Sequence, residues 1–454
     1  MDRITPSGET KRHLARISDE IVRGISDVAQ DRCADCRVEI QGSVAKGTYL
    51  EGTHDVDVFV FFPPDLPRGE MEEAILEIGK YWARTNSSDF EIAYAEHPYV
   101  AVRLEADNKV FDVDVVGAFD VESTDDLKSA VDRTKFHTQY VVSRIDGGME
   151  RQILLTKQFM TGIGTYGSEI RTGGFSGLLC EILTMHYGGF LELLKAAKGW
   201  QWGEVIDIED LNPKPEYSSP LVVIDPTDGE RNAGAAVRDD KLSLFIHASR
   251  SFLEEPSDRF FFPPERQPLD TDQLLAMLRD RGTKLLILSF KRPQVIDDII
   301  FPQVDRLIST LKGQLEGRSF RLSGPESRLV CEEDGEISLI LELGIHTLPR
   351  IEKRLGPHLD REEDCRRFLE KHSHDHPYIE GRRLCVDAPR PHWKAEDLIF
   401  SIVEENPQDI LPNYVKEGMD LGWSLKCDDD AIGGAGSEVR AVLTQHFRRT
   451  FPWE

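Results

Sequence analysis

"GSVAKGTYLEGTHDVDVFVFF", residues 42–62, sets two aspartates one residue apart at the head of an apolar run. In a strand, residues two apart share a face, so Asp55 and Asp57 project together while Val56 and Val58 point the other way into a core. Carboxylates held that close repel each other unless positive charge lies between them, and a divalent cation is the obvious candidate. Just upstream, the alternation of "RVEIQGS" runs into Gly42-Ser43, after which "VAKGTYL" opens as a helix. A Gly-Ser turn at a helix start leaves backbone N–H groups and a hydroxyl facing outward, which suits an anion.

Farther along, "YVAVRLEA" (99–106) and "KVFDVDVVGAF" (109–119) read as two more strands, the second placing Asp112 and Asp114 on one face. Apolar residues at helical spacing predict an amphipathic helix over 10–31, through Leu14, Ile17, Ile21 and Ile25, and another over 70–82, through Met71, Ile75 and Ile78. Carboxylates on neighbouring strands beside a phosphate-cradling turn suit Mg²⁺, which binds through a few carboxylates and substrate phosphates. Two such ions can activate an attacking hydroxyl and stabilise a leaving pyrophosphate. The expected chemistry is nucleotidyl transfer. Gly-Ser, Asp-x-Asp and a later strand aspartate, in that order, resemble the polymerase-β-like nucleotidyltransferases.

Composition bounds the rest. At 454 residues the chain exceeds one core, and usual domain sizes suggest about three. No run approaches the roughly 20 apolar residues of a membrane helix, and "MDRITPSGETKRHLARI" lacks the apolar centre of a signal peptide; a cytoplasmic protein is expected. Seven scattered cysteines suit a reducing compartment, and Cys33 and Cys36 form a lone CxxC better read as free thiols than as a zinc site. The net charge of -26 argues on average against a nucleic-acid partner. Locally, however, "RGTKLLILSFKRP" (281–293), "RRFLEKH" (366–372), "EGRRLCVDAPRPHW" (380–393) and "QHFRRTF" (445–451) keep basic residues beside aromatics. Taken singly, each reads better as ordinary surface charge than as an RNA contact.

"SAVDRTKFHTQYV" (129–141), "LLTKQFMTGIGTYGSEIRTGGFSGLLCEILTMHYGGF" (154–190) and "VVIDPTDGERNAGAAV" (222–237) follow in order, with "LILELGIHTLPRIEKRLGPH" (339–358) and "FLEKHSHDHPYIEGRRL" (368–384) in the tail. Together they resemble the archaeal class I CCA-adding enzymes, which rebuild the tRNA 3′ end, over nearly the full length. The resemblance implies Asp55, Asp57 and Asp114 as catalytic carboxylates and Mg²⁺ ligands, with Asp112 beside them. It implies a nucleotide pocket drawn from Gly42, Ser43, Lys46, Thr134, His137, Lys157, Tyr166 and Arg231. Ser43 would contact the triphosphate; Lys46 stands where relatives often carry Arg, keeping the charge without the bidentate fork. Thr134 and His137 match residues that bind ribose and phosphates. Arg231 would read the incoming base, or else merely tie down its turn through Asp225 or Asp228. Glycines 173, 174 and 177 lack the Lys-Ser/Thr of a P-loop and read as a close-packed loop.

The expectation is an α/β and α+β multidomain chain: a polymerase-β-like nucleotidyltransferase head (1–150), a helical middle domain completing the nucleotide pocket (151–265), and an α+β C-terminal region that binds RNA (266–454). The implied substrates are tRNA, recognised through its acceptor and T arms, with CTP and ATP, and relatives suggest a homodimer. The alternatives are a poly(A) polymerase or oligoadenylate synthetase sharing the head, or a non-catalytic RNA or nucleotide binder on the same fold.

Overall fold

The computed structural model describes residues 3–33, 35–86, 88–94, 96–107, 109–211, 218–323, 330–405 and 410–454. The chain divides into two compact units, one comprising residues 1–265 with 451–454 and the other residues 266–450. The last four residues, read from sequence as part of the C-terminal region, thus belong with the first unit. Among the described residues no helix is long and apolar enough to cross a membrane.

The first unit begins with α1 (Gly8–Gln30), capped where the Ser7 hydroxyl takes the Thr10 amide. Then come β1 (Arg37–Ile40), the one-turn α2 (Gly42–Lys46), β2 (Asp55–Phe62), α3 (Arg68–Thr85), β3 (Asp89–Tyr94), β4 (Pro98–Ala106) and β5 (Lys109–Phe119). Against the sequence expectations α1 begins two residues earlier and ends one earlier, and α3 extends two residues at its start and three at its end; β3 is not expected, because its residues alternate weakly and remain mostly exposed. The sheet runs β1-β2-β5-β4-β3. Its central pair, β2 and β5, is parallel, while β1, β4 and β3 join antiparallel.

The two faces of β2 do different things. Val56, Val58, Val60 and Phe62 enter the core with Leu14, Ile17, Ile21 and Ile25 of α1 and Met71, Ile75, Ile78 and Trp82 of α3. On the other face Phe59 and Phe61 are covered by Ala118, Val116 and Val131, whereas Asp55 and Asp57, at the same parity, lie beyond that cover. Each buried aromatic or aliphatic side chain contributes about 1.5–3 kcal/mol, so this packing anchors a strand whose N-terminal end carries the charges.

Beyond β5, the fully buried Asp132 accepts the amides of Phe119 and Ser129, both at 2.8 Å. It ties the end of the strand to the start of α4 (Thr134–Val142). Next come α5 (Gly147–Gly162), α6 (Gly177–Tyr187), α7 (Phe190–Ala197), β6 (Glu204–Asp207), β7 (Leu221–Asp225), β8 (Asp228–Asn232) and α8 (Asp239–Glu254). The helical pattern read over 175–190 breaks at Gly188, in the left-handed conformation at φ +82°, and Gly189, at φ +150°. These helices share a core with Phe159, Phe175, Phe190, Phe245 and Phe260, and Trp453 from the chain end stacks on Phe260 at 4.8 Å.

The second unit contains α9 (Thr271–Arg281), β9 (Lys284–Lys291), α10 (Asp297–Glu316), β10 (Arg321–Leu322), β11 (Val330–Glu333), β12 (Glu336–Ile345), β13 (Ile351–His358), α11 (Glu362–Lys371), β14 (Tyr378–Glu380), β15 (Arg383–Pro389), α12 (Ala395–Glu405), α13 (Asn413–Leu421), β16 (Trp423–Cys427), α14 (Asp428–Gly433) and α15 (Ser437–Arg448). One sheet has the order β10-β12-β9-β16 with β11 on β12, and a second is β13-β15-β14. Basic residues of two segments noted above are engaged internally: Arg281 forms a two-bond fork with the buried Glu342, His446 Nε2 meets the same carboxylate at 2.7 Å, and Arg292 pairs with Asp297 and Glu332.

Candidate active site

Parallel pairing aligns Asp55 with Asp112 and Asp57 with Asp114 across β2 and β5. The outer pair is exposed, with Asp112 near Arg103 of β4 at 3.8 Å; the inner pair is half-buried. Burial first, and the Asp112 charge second, raise the Asp55 pKa. Asp57 is raised by burial and by Asp55, with Lys46 pulling the other way. Asp114 is pushed up to about 7 by burial and then by Asp57, Asp55, Asp112 and Glu91. It also lines a cleft of about 490 Å³ over β3, β4 and β5.

This is a set of oxygen donors short of positive charge. Among the described residues no group of three or more His, Cys, Asp and Glu side chains is arranged to hold a metal ion by itself.

The Gly-Ser turn fits against this cluster. Gly42 opens α2 with φ +64°, and a Cβ built there would lie 1.9 Å from Asp57 Oδ2. The Gln41 amide also donates to the Asp57 carbonyl at 2.9 Å. Glycine is required twice, by backbone conformation and by space. Ser43 follows in the first turn of α2.

Lys46 and Lys157 converge on a residue that sequence reasoning missed. Lys46 Nζ donates to Glu181 Oε2 and Lys157 Nζ to Glu181 Oε1, each at 2.7 Å. The Thr48 hydroxyl donates to Oε1 at 2.5 Å, and Lys157 also reaches the Thr48 carbonyl at 2.9 Å. All four residues are buried. Burial, which by itself raises the Glu181 pKa, is outweighed by Lys157 and Lys46, leaving it at about 2. The signal was available: a single Glu inside the apolar "GLLCEILTMHY" needs a buried partner. Tyr166 lies nearby, its hydroxyl 3.1 Å from where a Gly177 Cβ would stand and its phenol pKa raised by burial and by Cys180, Glu181, Glu169 and Asp55. A Cβ at Gly174 would meet the Thr165 carbonyl at 2.1 Å, in keeping with a close-packed loop.

Two of the remaining nucleotide candidates, His137 and Arg231, gather on Asp225. Its Oδ2 accepts from His137 Nε2 of α4 at 2.7 Å and from Arg231 Nη1 of β8 at 2.6 Å, while Oδ1 takes the amide and hydroxyl of Thr227. Burial alone would raise this carboxyl; the bond and charge of His137, the Thr227 amide and the Arg231 charge together outweigh it and hold the carboxyl below the usual range. Of the two partners weighed for Arg231 it is therefore Asp225 that holds it, while Asp228 pairs with Arg133 at 2.7 Å. Arg231 keeps 37 % of its side chain exposed and, with Arg133, Ser176, Thr227 and Asn232, lines a cleft of about 1050 Å³. Thr134 begins the helix that carries His137.

Residues 22–141 match the family described as nucleotidyltransferase domain, residues 151–262 that of tRNA nucleotidyltransferase, second domain, and residues 281–425 that of CCA-adding enzyme, C-terminal domain. The chain is 33% identical over 451 residues to the CCA-adding enzyme of Methanothermobacter thermautotrophicus, covering 99% of this chain and 97% of that one. It is 38% identical over 404 residues to the enzyme of Methanosarcina acetivorans, covering 88% and 87%. With the Pyrococcus abyssi enzyme identity is 36% over 449 residues, covering 96% and 92%.

Proposed function

This chain belongs to the archaeal CCA-adding enzymes, and from that premise we propose that it adds C, C and A to the 3′ end of tRNA, using CTP and ATP without a nucleic-acid template and releasing pyrophosphate. The observation that carries the mechanism is the in-register pairing of Asp57 with Asp114, with Asp55 beside them, in a chain that matches these relatives over 88–99% of its length. Asp55, Asp57 and Asp114 would hold Mg²⁺; their crowding and raised pKa values fit a donor set awaiting cations. Bound there, divalent ions would lower the pKa of the tRNA 3′ hydroxyl and neutralise charge on the leaving pyrophosphate.

The chain's own groups supply position. Gly42 leaves room for the Asp57 carboxylate, and Ser43 in the same turn would meet the triphosphate. Lys46 and Lys157 supply fixed positive charge toward the phosphates, with Tyr166 packed beside them. Thr134 and His137 would meet ribose and phosphate, and Arg231, steadied by Asp225, would turn its remaining N–H groups toward acceptors of cytosine or adenine. The division of labour we propose is a catalytic head over 1–150, a middle domain over 151–265 that completes the nucleotide pocket, and tRNA binding through 266–450, the last four residues packing with the first unit.

The test is incubation of the pure protein with tRNA lacking CCA, Mg²⁺ and each nucleotide in turn, with sequencing of the ends. CTP alone should add two C, and ATP should add one A only after them. Open-ended A tails, or pyrophosphate release indifferent to metal, would overturn the reading.

A further inference from the structure

A buried carboxylate in a structural ion pair needs one cation. Glu181 has two, from separate elements: Lys46 of α2 on one oxygen and Lys157 of α5 on the other. Two lysine side chains thus share one carboxylate in a place with almost no solvent, where an uncompensated charge is costly. The other titratable groups that sense it are Asp57, whose carboxyl feels Lys46, and Tyr166 and Cys180, which feel Glu181. Lys157 Nζ spends its three N–H groups on Glu181 and Thr48, whereas Lys46 Nζ bonds Glu181 alone among the described residues, so Lys46 keeps donors for an arriving anion while Lys157 contributes its charge. Without Glu181 the ammonium groups would repel, and each long side chain would regain rotamers that point elsewhere.

We propose that Glu181 is a positioning residue for the nucleoside triphosphate: through one buried carboxylate it holds Lys46 and Lys157 side by side and preordered for the phosphates. Thr48 completes the clamp, donating its hydroxyl to Glu181 and accepting from Lys157. This rests on the assignment of both lysines to the triphosphate pocket made above. Glu181 touches no reacting atom, so its effect falls on nucleotide binding and leaves the chemical step intact.

Glu181→Gln keeps the shape and removes the charge. KM for CTP and for ATP should rise together by at least ~10-fold, while kcat at saturating nucleotide stays within about threefold and tRNA affinity is unchanged. A structural ion pair alone would lower thermal stability without that split. Thr48→Val, a milder change, should raise both KM values about threefold with kcat kept, and it decides the matter if Glu181→Gln does not fold. Wild-type KM values in the folded variants, or a loss confined to kcat, would overturn the proposal. Failure of the wild-type protein to extend tRNA would overturn the functional assignment itself.

Discussion

The Cβ that Gly42 lacks would lie 1.9 Å from Oδ2 of Asp57, so the first residue of the Gly-Ser turn and the second aspartate of Asp-x-Asp occupy one another's space. The two motifs are a single packing unit. Gly42→Ala must displace the carboxylate, and we expect kcat to fall at least ~100-fold, a loss of about 2.7 kcal/mol, with tRNA binding kept. Gly47 provides the control: its φ of +69° is equally left-handed, but nothing lies within 4 Å of its Cβ position. Gly47→Ala should cost about 1 kcal/mol of stability and leave kcat nearly unchanged. Equal kinetic damage in both variants would mean that backbone strain, and not the Asp57 contact, governs.

Asp114 and Asp112 share a strand face but differ in depth: Asp114 is half-buried opposite Asp57, while Asp112 keeps 63% of its side chain exposed near Arg103. Asp114→Asn should reduce incorporation at least ~100-fold and Asp112→Asn less than about fivefold. Steady-state rates on tRNA lacking CCA settle it, and reversed damage would move the metal register by two residues.

Arg231 is held through Asp225 yet lines an open cleft, so its two tasks can be separated. Arg231→Ala should change the CTP-to-ATP preference on tRNA ending in C74-C75 by at least ~10-fold, since removing a tuned donor removes the penalty against the wrong base. A lower melting temperature with unchanged preference would leave Arg231 as a brace for its turn.

Glu342 gives a pH signature to the second unit. Burial would raise its carboxyl, but bonds from His446, Arg281 and Thr283 outweigh it and bring it to about 2. A depressed carboxyl binds fewer protons folded than unfolded, so its contribution is fully present above about pH 4.3 and is lost as pH falls through that range toward about 2. Amide exchange along residues 285–290 should accelerate between pH 5 and 2 beyond its intrinsic trend, and Glu342→Gln should flatten that dependence. An identical profile in the variant would remove Glu342 from the acid response.

Recognition of tRNA should rest on shape and backbone, because A-form helices present 2′-hydroxyls and phosphates more readily than base edges. A minihelix of acceptor and T arms should be extended nearly as well as whole tRNA, and altered stem sequences should be tolerated. Strict dependence on the anticodon would contradict this.

The parity that puts Asp55, Asp57, Asp112 and Asp114 on two strand faces was legible in the sequence, because the two-residue repeat of a strand is a property of the local backbone. So were the helices over Leu14–Ile25 and Met71–Ile78, and the order of motifs that marks the family. Partner choice was not legible. That β2 lies parallel beside β5 with Asp57 opposite Asp114, that Lys46 finds Glu181 135 residues away, and that Arg231 takes Asp225 while Asp228 takes Arg133 all depend on chain closure. The basic segments show the same limit: Arg281 and His446 lie in stretches that composition reads as surface charge, yet both end on Glu342. Local geometry decides where a side chain points along its own element. Which charge it meets is decided by the desolvation of groups brought together from distant parts of the chain, and only the folded structure contains that.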